Sequence, residues 1–362
     1  MMRKKRNQPL WAKRWPALLL AALLLTALAA CGGPKNADQA QQPAANGSGG
    51  GTTNTQVAGN AADDTTADGG NAGGDKVDAG SAGAPQATVY PLKVTDGTGT
   101  ELTFQQAPQR IVTLLPSETE VVYAVGAGDR VVAVDDFSNY PKDAESKEKI
   151  GGADANLEKI ASLKPDLVLG SSNMSSNTVE ALRKLNLTVY ASDPKTYDAV
   201  IDKIKQIGVI LDKSAEAEKV ATHMQDVRKQ VEEAVKDAPK PKVYLEISPG
   251  WTVGKGEFLD ELLTIAGGTN IADQSGWFQI DPEAVIKANP DIIVYTSQAG
   301  LKPGEKNPIL AAIETRPGWE QISAVKNNKL FEVDQDPLVR VGPRLSDGLL
   351  EVAKKLHPDL VK

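Results

Sequence analysis

The chain has 362 residues, of which 41% are hydrophobic and 24% are charged, and its formal net charge is −7. That length allows about two or three globular units. The acidic balance, with no basic stripe beyond the N-terminus, argues against nucleic-acid binding, which needs a concentrated basic face. One cysteine and two histidines exclude an intrachain disulfide, a thiolate metal site and a histidine-rich metal cage.

The N-terminus has the organisation of a secretory signal. Basic residues precede an apolar run, Leu18–Ala30, which is shorter than the roughly 20 residues that cross a bilayer. The run ends in Leu28-Ala29-Ala30-Cys31, which resembles the bacterial lipobox, where cleavage leaves the cysteine as a lipid-bearing N-terminus. We therefore predict a lipoprotein signal peptide over residues 1–30 and lipidation of Cys31. The alternative is an ordinary signal peptide in which this cysteine is incidental.

Residues 31–87 are rich in Gly, Ala, Asn and Asp and have almost no large apolar side chain. Such a segment cannot bury enough surface to offset its chain entropy, so we predict that it is disordered. A flexible coil of about 55 residues would span on the order of 40 Å. We interpret it as a tether that holds a folded domain off the outer face of a cell membrane.

Residues 88–212 alternate between apolar runs and amphipathic segments, which predicts an α/β lobe. Asp96–Gly99 predicts the turn of a hairpin. A short apolar run that ends at Pro116 predicts a buried parallel strand, with Ser117 as the N-cap of the next helix and Glu120 as its capping-box partner. The predicted elements then continue as strand 130–134, helix 157–163, strand 166–169, helix 176–185 and strand 187–190.

Residues 197–237 contain no proline, and their apolar residues recur at helical spacing. This predicts two helices, of which the second, within 213–238, is long enough to connect two domains. Strand–helix alternation resumes over 239–362 and predicts a second lobe. Its predicted elements are strand 242–247, helix 257–266, strand 291–295, helix 307–313, strand 329–333 and helix 344–356.

Two segments share one pattern. Residues 156–169 and 281–294 both consist of a helix, a Pro-Asp pair and an apolar strand. This internal similarity predicts an α/β fold of two related lobes with mostly parallel sheets, joined by the single long helix. Chance similarity of short α/β units is the alternative.

Several segments, in order, carry a family resemblance: Pro108–Glu120, Val125–Val134, Asn156–Val168, Gly254–Gly256 and Ala266–Asn270. Together they resemble the helical-backbone (class III) substrate-binding proteins of ATP-driven (ABC) importers, which serve cobalamin, ferric siderophores and haem. The resemblance implies two Rossmann-like lobes, a ligand between them, no cofactor, and a permease and an ATPase as partners. We expect a monomer that does not bind nucleic acid.

Within that class the sequence is most similar to the cobalamin-binding members. The loop Phe137–Pro141 resembles their aromatic-Ser-Asp-Tyr-Pro loop, and two tryptophans stand where they carry Phe and Trp. The resemblance implies ligand contacts by Phe137, Tyr140, Trp251, Trp277, Asp336 and Arg340. Aromatic side chains form only 5% of the chain, so each one in a loop is a notable candidate. Their flat faces would pack against a corrinoid, which is a flat ring with amide groups at its rim.

Two features keep a ferric siderophore or haem open as the alternative ligand. A tryptophan that stacks on the ligand in cobalamin-binding members is replaced near Gly170–Ser171. Arg340 and Arg344 would also suit an anionic siderophore, since guanidinium groups match carboxylate and catecholate oxygens.

In this class one acidic residue per lobe docks onto the permease, and we expect Glu180 and Glu257 in that role. Glu261 is an alternative to Glu257. A glutamate near a helix N-terminus is also explained by the helix dipole alone.

Enzyme motifs are missing from the sequence. Gly126–Gly128 follows a predicted helix and precedes a strand, the reverse of a dinucleotide-binding loop. There is no Walker loop and no Gly-x-Ser-x-Gly nucleophile elbow. We therefore expect a binding protein without enzyme activity. A surface enzyme or sensor on a duplicated α/β fold is the third hypothesis.

Overall fold

The computed structural model describes residues 87–152, 154–302 and 304–362. The predicted signal peptide, Cys31 and all of the tether except Ala87 lie outside these residues. The described part begins with an antiparallel hairpin, β1 (Leu92–Thr95) and β2 (Glu101–Phe104). Its turn is held by Asp96, whose Oδ1 accepts hydrogen bonds from the backbone N–H groups of Thr98 and Thr100.

A five-stranded parallel sheet forms the centre of the first lobe, in the order β5-β4-β3-β6-β7. Its strands are β3 (Ile111–Thr113), β4 (Val131–Val134), β5 (Glu148–Lys149), β6 (Leu167–Ser171) and β7 (Val189–Ser192). The helices of this lobe are α1 (Pro116–Ala124), α2 (Lys142–Glu145), α3 (Leu157–Ser162) and α4 (Ser176–Lys184). Along the chain, β4 and β5 are added on one side of β3, and β6 and β7 are then added on its other side. The strand order therefore reverses between β3 and β6, which is the topological switch point of the sheet.

Two helices follow the first sheet: α5 (Tyr197–Ile210), which belongs to the first lobe, and α6 (Ser214–Val235), which connects the two lobes. Helix α6 has 22 residues, which corresponds to a length of about 33 Å at 1.5 Å per residue. The predicted pair of helices is therefore confirmed.

The second lobe contains a four-stranded parallel sheet in the order β10-β8-β12-β13 and a separate antiparallel pair, β9 and β11. The strands are β8 (Lys242–Glu246), β9 (Trp251–Val253), β10 (Thr269–Asn270), β11 (Trp277–Gln279), β12 (Ile292–Thr296) and β13 (Leu330–Val333). The helices are α7 (Phe258–Ile265), α8 (Pro282–Ala288), α9 (Pro308–Thr315), α10 (Ser323–Lys326), α11 (Gln335–Val339) and α12 (Leu345–Leu356). The fold is thus the predicted one, two α/β lobes with parallel sheets joined by one long helix.

One apolar core runs through both lobes. Ile111 and Leu169 of the first sheet belong to the same buried cluster as Val243 and Val294 of the second and Met224 of α6. Successive side chains along a strand point to opposite faces of a sheet. The other face of each sheet therefore packs on a separate apolar cluster, which includes Val168 in the first lobe and Ile293 in the second. Helix α6 contacts both α5 of the first lobe and α12 of the second, so it packs against both lobes.

The Pro-Asp pairs of the repeated segments have a common structural role. Asp166 accepts hydrogen bonds from the backbone N–H groups of Gln109 and Arg110, at 2.7 and 2.8 Å, just before β3. In the second lobe Asp291 accepts from the backbone N–H of Lys242 at 2.9 Å, at the start of β8. Each aspartate therefore ties the start of its own strand to that of the neighbouring strand, and the predicted similarity of the lobes is confirmed.

One local prediction is wrong. Ser117 does not cap α1, because the helix begins one residue earlier at Pro116, and the Glu120 side chain turns away to bind two arginines. Trp277 begins β11 and lies opposite Val253 of β9. None of the helices within residues 87–152, 154–302 and 304–362 combines the length and the hydrophobicity of a membrane span.

Candidate ligand-binding cleft

The carboxyl ends of the first sheet's strands open into a cavity of about 670 Å³. It lies at the switch point between β3 and β6, where open α/β sheets bind ligands, and its volume is in the range of small-molecule sites. The second lobe supplies the opposite wall through Ile247, Phe258 and the residues from Val339 to Val341. The cavity is therefore a cleft between the two lobes.

Three exposed apolar side chains line this cleft. Phe137 follows β4, Met174 follows β6, and Trp277 begins β11 in the other lobe. Their exposed fractions are 66%, 77% and 40%. Large apolar residues that are this exposed and share one cavity mark a binding surface. The set offers two aromatic faces and an adaptable thioether.

Trp251 extends the surface of Trp277 beyond the cleft. In the β9–β11 pair Trp277 lies opposite Val253, and Gln279 lies opposite Trp251. Residues that lie opposite one another, or two apart on a strand, share one face, so both tryptophans are on the same side of the pair. Trp251 is 46% exposed but does not line the cavity.

Two arginines of the second lobe bind one buried carboxylate of the first. Arg340 Nη1 lies 2.8 Å from Glu120 Oε1, and Arg344 donates from Nε and Nη2 at 2.9 and 2.7 Å. Arg340 also binds Asn139 Oδ1 and Asp336 Oδ2, each at 2.8 Å. Arg340 therefore lines the cleft, but its guanidinium group is already used to join the lobes. Asp336 takes part in the same contact and does not line the cavity.

Tyr140 packs against Arg344, one of the two arginines in this contact. The guanidinium carbon of Arg344 lies 4.2 Å from the centroid of the Tyr140 ring, a cation–π geometry. The ring therefore supports Arg344 with one of its faces, and Tyr140 lies outside the cavity lining. Of the six residues predicted to contact ligand, the structure brings Phe137, Trp277 and Arg340 into the cleft and places the other three beside it.

Sequence reasoning missed a buried ion pair in the cleft wall. Lys203 Nζ of α5 lies 3.0 Å from Glu118 Oε1 of α1 and 2.6 Å from the carbonyl oxygen of Val341 in the other lobe. Both charged side chains are almost fully buried. Lys203 lies between Val200 and Ile204 on the apolar face of α5. A charged residue on an apolar helix face indicates a buried partner, and this feature of the sequence could have predicted the ion pair.

Asp135 fixes the loop that carries Phe137. Its Oδ2 accepts a hydrogen bond from the backbone N–H of Phe137 at 2.8 Å, and its Oδ1 accepts from the hydroxyl of Ser138. The chain of hydroxyls continues from Ser138 to Thr119 at 2.7 Å and from Thr119 to Thr113 at 2.6 Å. Burial raises the pKa of the Asp135 carboxyl, although the hydrogen bonds from Ser138 and Phe137 work in the opposite direction.

This pKa shift predicts a pH dependence of stability. The pKa of this carboxyl is near 3.8 in the unfolded chain and higher in the folded protein. Its contribution to the free energy of unfolding therefore falls as the pH rises from the unfolded pKa to the folded pKa. Asp135→Asn removes this titration and keeps the shape of the side chain. We expect the melting temperature of the variant, relative to the wild type, to be higher at pH 7 than at pH 4. A difference that is constant or reversed across that range, measured by circular dichroism, would contradict the assignment.

The three carboxylates considered for docking have different surroundings. Glu180 is exposed and lies in the second turn of α4, not at the helix start. Glu257 lines the cleft and is bound by Lys195. Glu261 Oε2 accepts a hydrogen bond from the backbone N–H of Tyr197 at 2.6 Å. Glu257 and Glu261 therefore both join the lobes, and Glu257 does not present a free carboxylate on the outer surface.

Two parallel-sheet lobes, a long helical connection and a ligand-sized cleft at the strand ends define a class III solute-binding protein. A sequence profile of the periplasmic binding protein family matches residues 111–337, and the chain belongs to that family. This confirms the family resemblance of the sequence motifs. Members of this family are non-enzymatic components of transport, and this chain is an ABC transporter substrate-binding protein.

Known proteins are similar over most of the chain. The chain is 36% identical over 285 residues to YvrC of Bacillus subtilis, an uncharacterized ABC transporter substrate-binding lipoprotein, with 76% of this chain and 88% of that protein covered. The structure resembles that of BtuF of Vibrio cholerae, a periplasmic vitamin B12 binding protein, at 28% identity and a TM-score of 0.60, covering 69% of this chain and 97% of that one. It also resembles a possible iron-binding (periplasmic solute-binding) protein of Staphylococcus epidermidis, at 29% identity and a TM-score of 0.59, covering 70% and 100%.

Proposed function

We propose that the cleft captures a corrinoid of the cobalamin type and presents it to an ABC permease, in preference to a ferric siderophore or haem. One observation carries this choice. Among the described residues, the cations that line the cavity are Lys195 and Arg340, and each is already bound by carboxylates of the protein. An anionic chelate, or the propionates of haem, would have to break these ion pairs, whereas a corrinoid with an amide rim would not.

The rest of the lining suits such a ligand. The faces of Phe137 and Trp277 stand in opposite lobes and would contact a large flat ring. Met174 supplies apolar surface in the loop after β6. Glu118 and Ser192 each have a buried side-chain oxygen without a partner among the described residues. Rim amides carry both donors and acceptors and could satisfy polar groups of this kind.

The N-terminal predictions complete the proposal. A signal peptide over 1–30, lipidation of Cys31 and a tether over 31–87 would hold the protein on the extracytoplasmic face of the cell membrane. The lobes would comprise residues 88–212 and 239–362, with the connecting helix at 213–238. The name of YvrC, which describes a lipoprotein, supports this location. For docking onto the permease we retain Glu180, because it is exposed on the outer surface of α4.

Calorimetric titration tests the proposal directly. Cyanocobalamin added to the purified protein is expected to give a saturable signal with one site and a Kd at or below about 1 μM, corresponding to about −8 kcal/mol. Haemin and a ferric tris-catecholate chelate, titrated under the same conditions, are expected to bind far more weakly. Saturable binding of either iron compound without binding of cyanocobalamin would transfer the assignment to iron uptake.

A further inference from the structure

A charged cluster crosses the cleft from one lobe to the other. Lys195 follows β7 in the first lobe, and Glu257 immediately precedes α7 in the second. Lys195 Nζ lies 3.1 and 3.0 Å from the two carboxylate oxygens of Glu257, and 3.1 Å from Oδ2 of Asp193. All three side chains line the cavity. We call these residues the Lys195 cluster.

The Lys195 cluster has one ammonium group and two carboxylates, so its net charge is −1 when all three are ionised. Burial alone would lower the pKa of Lys195, but its hydrogen bonds to Glu257 and Asp193 outweigh burial and raise the pKa. Lys195 therefore stays protonated, and its hydrogen bonds are directed at the protein. Its side chain is 41% exposed, whereas that of Glu257 is only 11% exposed, so Lys195 is the more accessible residue of the pair.

Among the described residues, the other charges of the lining do not provide a free cation. Arg340 is bound by Glu120 and Asp336, Glu118 is paired with the buried Lys203, and Asp135 is buried. A ligand with several negative charges would therefore meet no lining cation that lacks a carboxylate partner. Charges that repel the wrong ligand contribute to specificity as much as contacts that favour the right one.

We propose that Asp193 and Glu257 are specificity-determining residues: by neutralising Lys195 they make the cleft reject polyanionic chelates. The inference rests on the proposed function in one respect only, namely that the natural ligand is not a polyanion. It assigns Glu257 a role inside the cleft in place of one in docking. It also predicts that the preference for a ligand class can be altered without changing the aromatic walls.

The test compares charge variants of the same shape. Asp193→Asn with Glu257→Gln frees Lys195, and a trianionic ferric tris-catecholate chelate is the probe, followed by fluorescence quenching at low salt. We expect the double variant to bind the chelate at least about tenfold more tightly than the wild type, an effect that salt reduces because it is electrostatic. Adding Lys195→Gln to the double variant is expected to abolish the gain.

The matched control is Glu233→Gln with Asp237→Asn, which removes the same two charges from exposed positions at the end of α6. Its affinity for the chelate should stay within about threefold of the wild type, since distant exposed charges are screened. An equal gain in the control, no gain in the double variant, or tight binding of the chelate by the wild type would each overturn the proposal. If the double variant does not fold, Glu257→Gln alone is expected to give at least about a threefold gain.

Cyanocobalamin is titrated in parallel and separates the two proposals. The ratio of the chelate affinity to the cyanocobalamin affinity is expected to rise in the double variant, because a ligand without net charge gains little from a freed ammonium group. If the wild type does not bind cyanocobalamin, the proposed function fails. The comparison of chelate affinities among the variants would still decide whether the Lys195 cluster excludes polyanions.

Discussion

Replacing Trp277 with alanine is expected to weaken cyanocobalamin binding by roughly 30- to 1,000-fold, the effect of losing a buried aromatic anchor worth about 2–4 kcal/mol. Trp277 is the aromatic residue that the second lobe places in the cleft lining beside Phe258, with the two ring centroids 6.3 Å apart. Stability should change little, because β11 pairs through its backbone and the side chain is 40% exposed. Titration calorimetry and thermal unfolding measure the two effects.

Trp251 is the matched control for this variant. It has the same side chain, lies on the same face of the β9–β11 pair and is similarly exposed, but it does not line the cavity. Trp251→Ala is therefore expected to weaken binding by no more than about tenfold, as for residues at the rim of an interface. Equal losses in both variants would show that the cleft between the lobes is not where the ligand binds.

Replacing Glu120 with glutamine is expected to lower the free energy of unfolding by about 3 kcal/mol, because it leaves two arginines without their buried counter-charge. Glu120 is 3% exposed and receives three hydrogen bonds from Arg340 and Arg344. For a folded region of this size the melting temperature should fall by roughly 6–12 °C. Ligand affinity should fall as well, since Val339 to Val341 form part of the cleft wall.

The control for Glu120 is Glu158→Gln, which makes the same change on an exposed glutamate in the first turn of α3. Its melting temperature is expected to stay within about 2 °C of the wild type, because exposed charges contribute little to stability. If the two variants unfold at the same temperature, the contact of Glu120 with the arginines does not stabilise the joined lobes.

Part of the cleft could be predicted from the sequence. The resemblance to cobalamin-binding members and the scarcity of aromatic residues point to Phe137 and Trp277, and both line the cavity. Met174 was missed because a single methionine in a polar loop carries no periodic signal. Asp336 and Arg340 were expected to contact the ligand, but the structure shows them joined to Asn139 and Glu120 of the first lobe.

The sequence by itself determined the principal strands and helices of the two related lobes and the long connecting helix, whereas the short strands β5, β9, β10 and β11 were not predicted. These features follow from apolar periodicity and from turn residues, which act between neighbours a few positions apart along the chain. Only the tertiary structure decided which charges meet across the cleft. Glu120 and Arg344 lie 224 positions apart, and Lys195 and Glu257 lie 62 apart. Because an ion pair depends on proximity in space, the fold had to bring these groups together before their partners could be assigned.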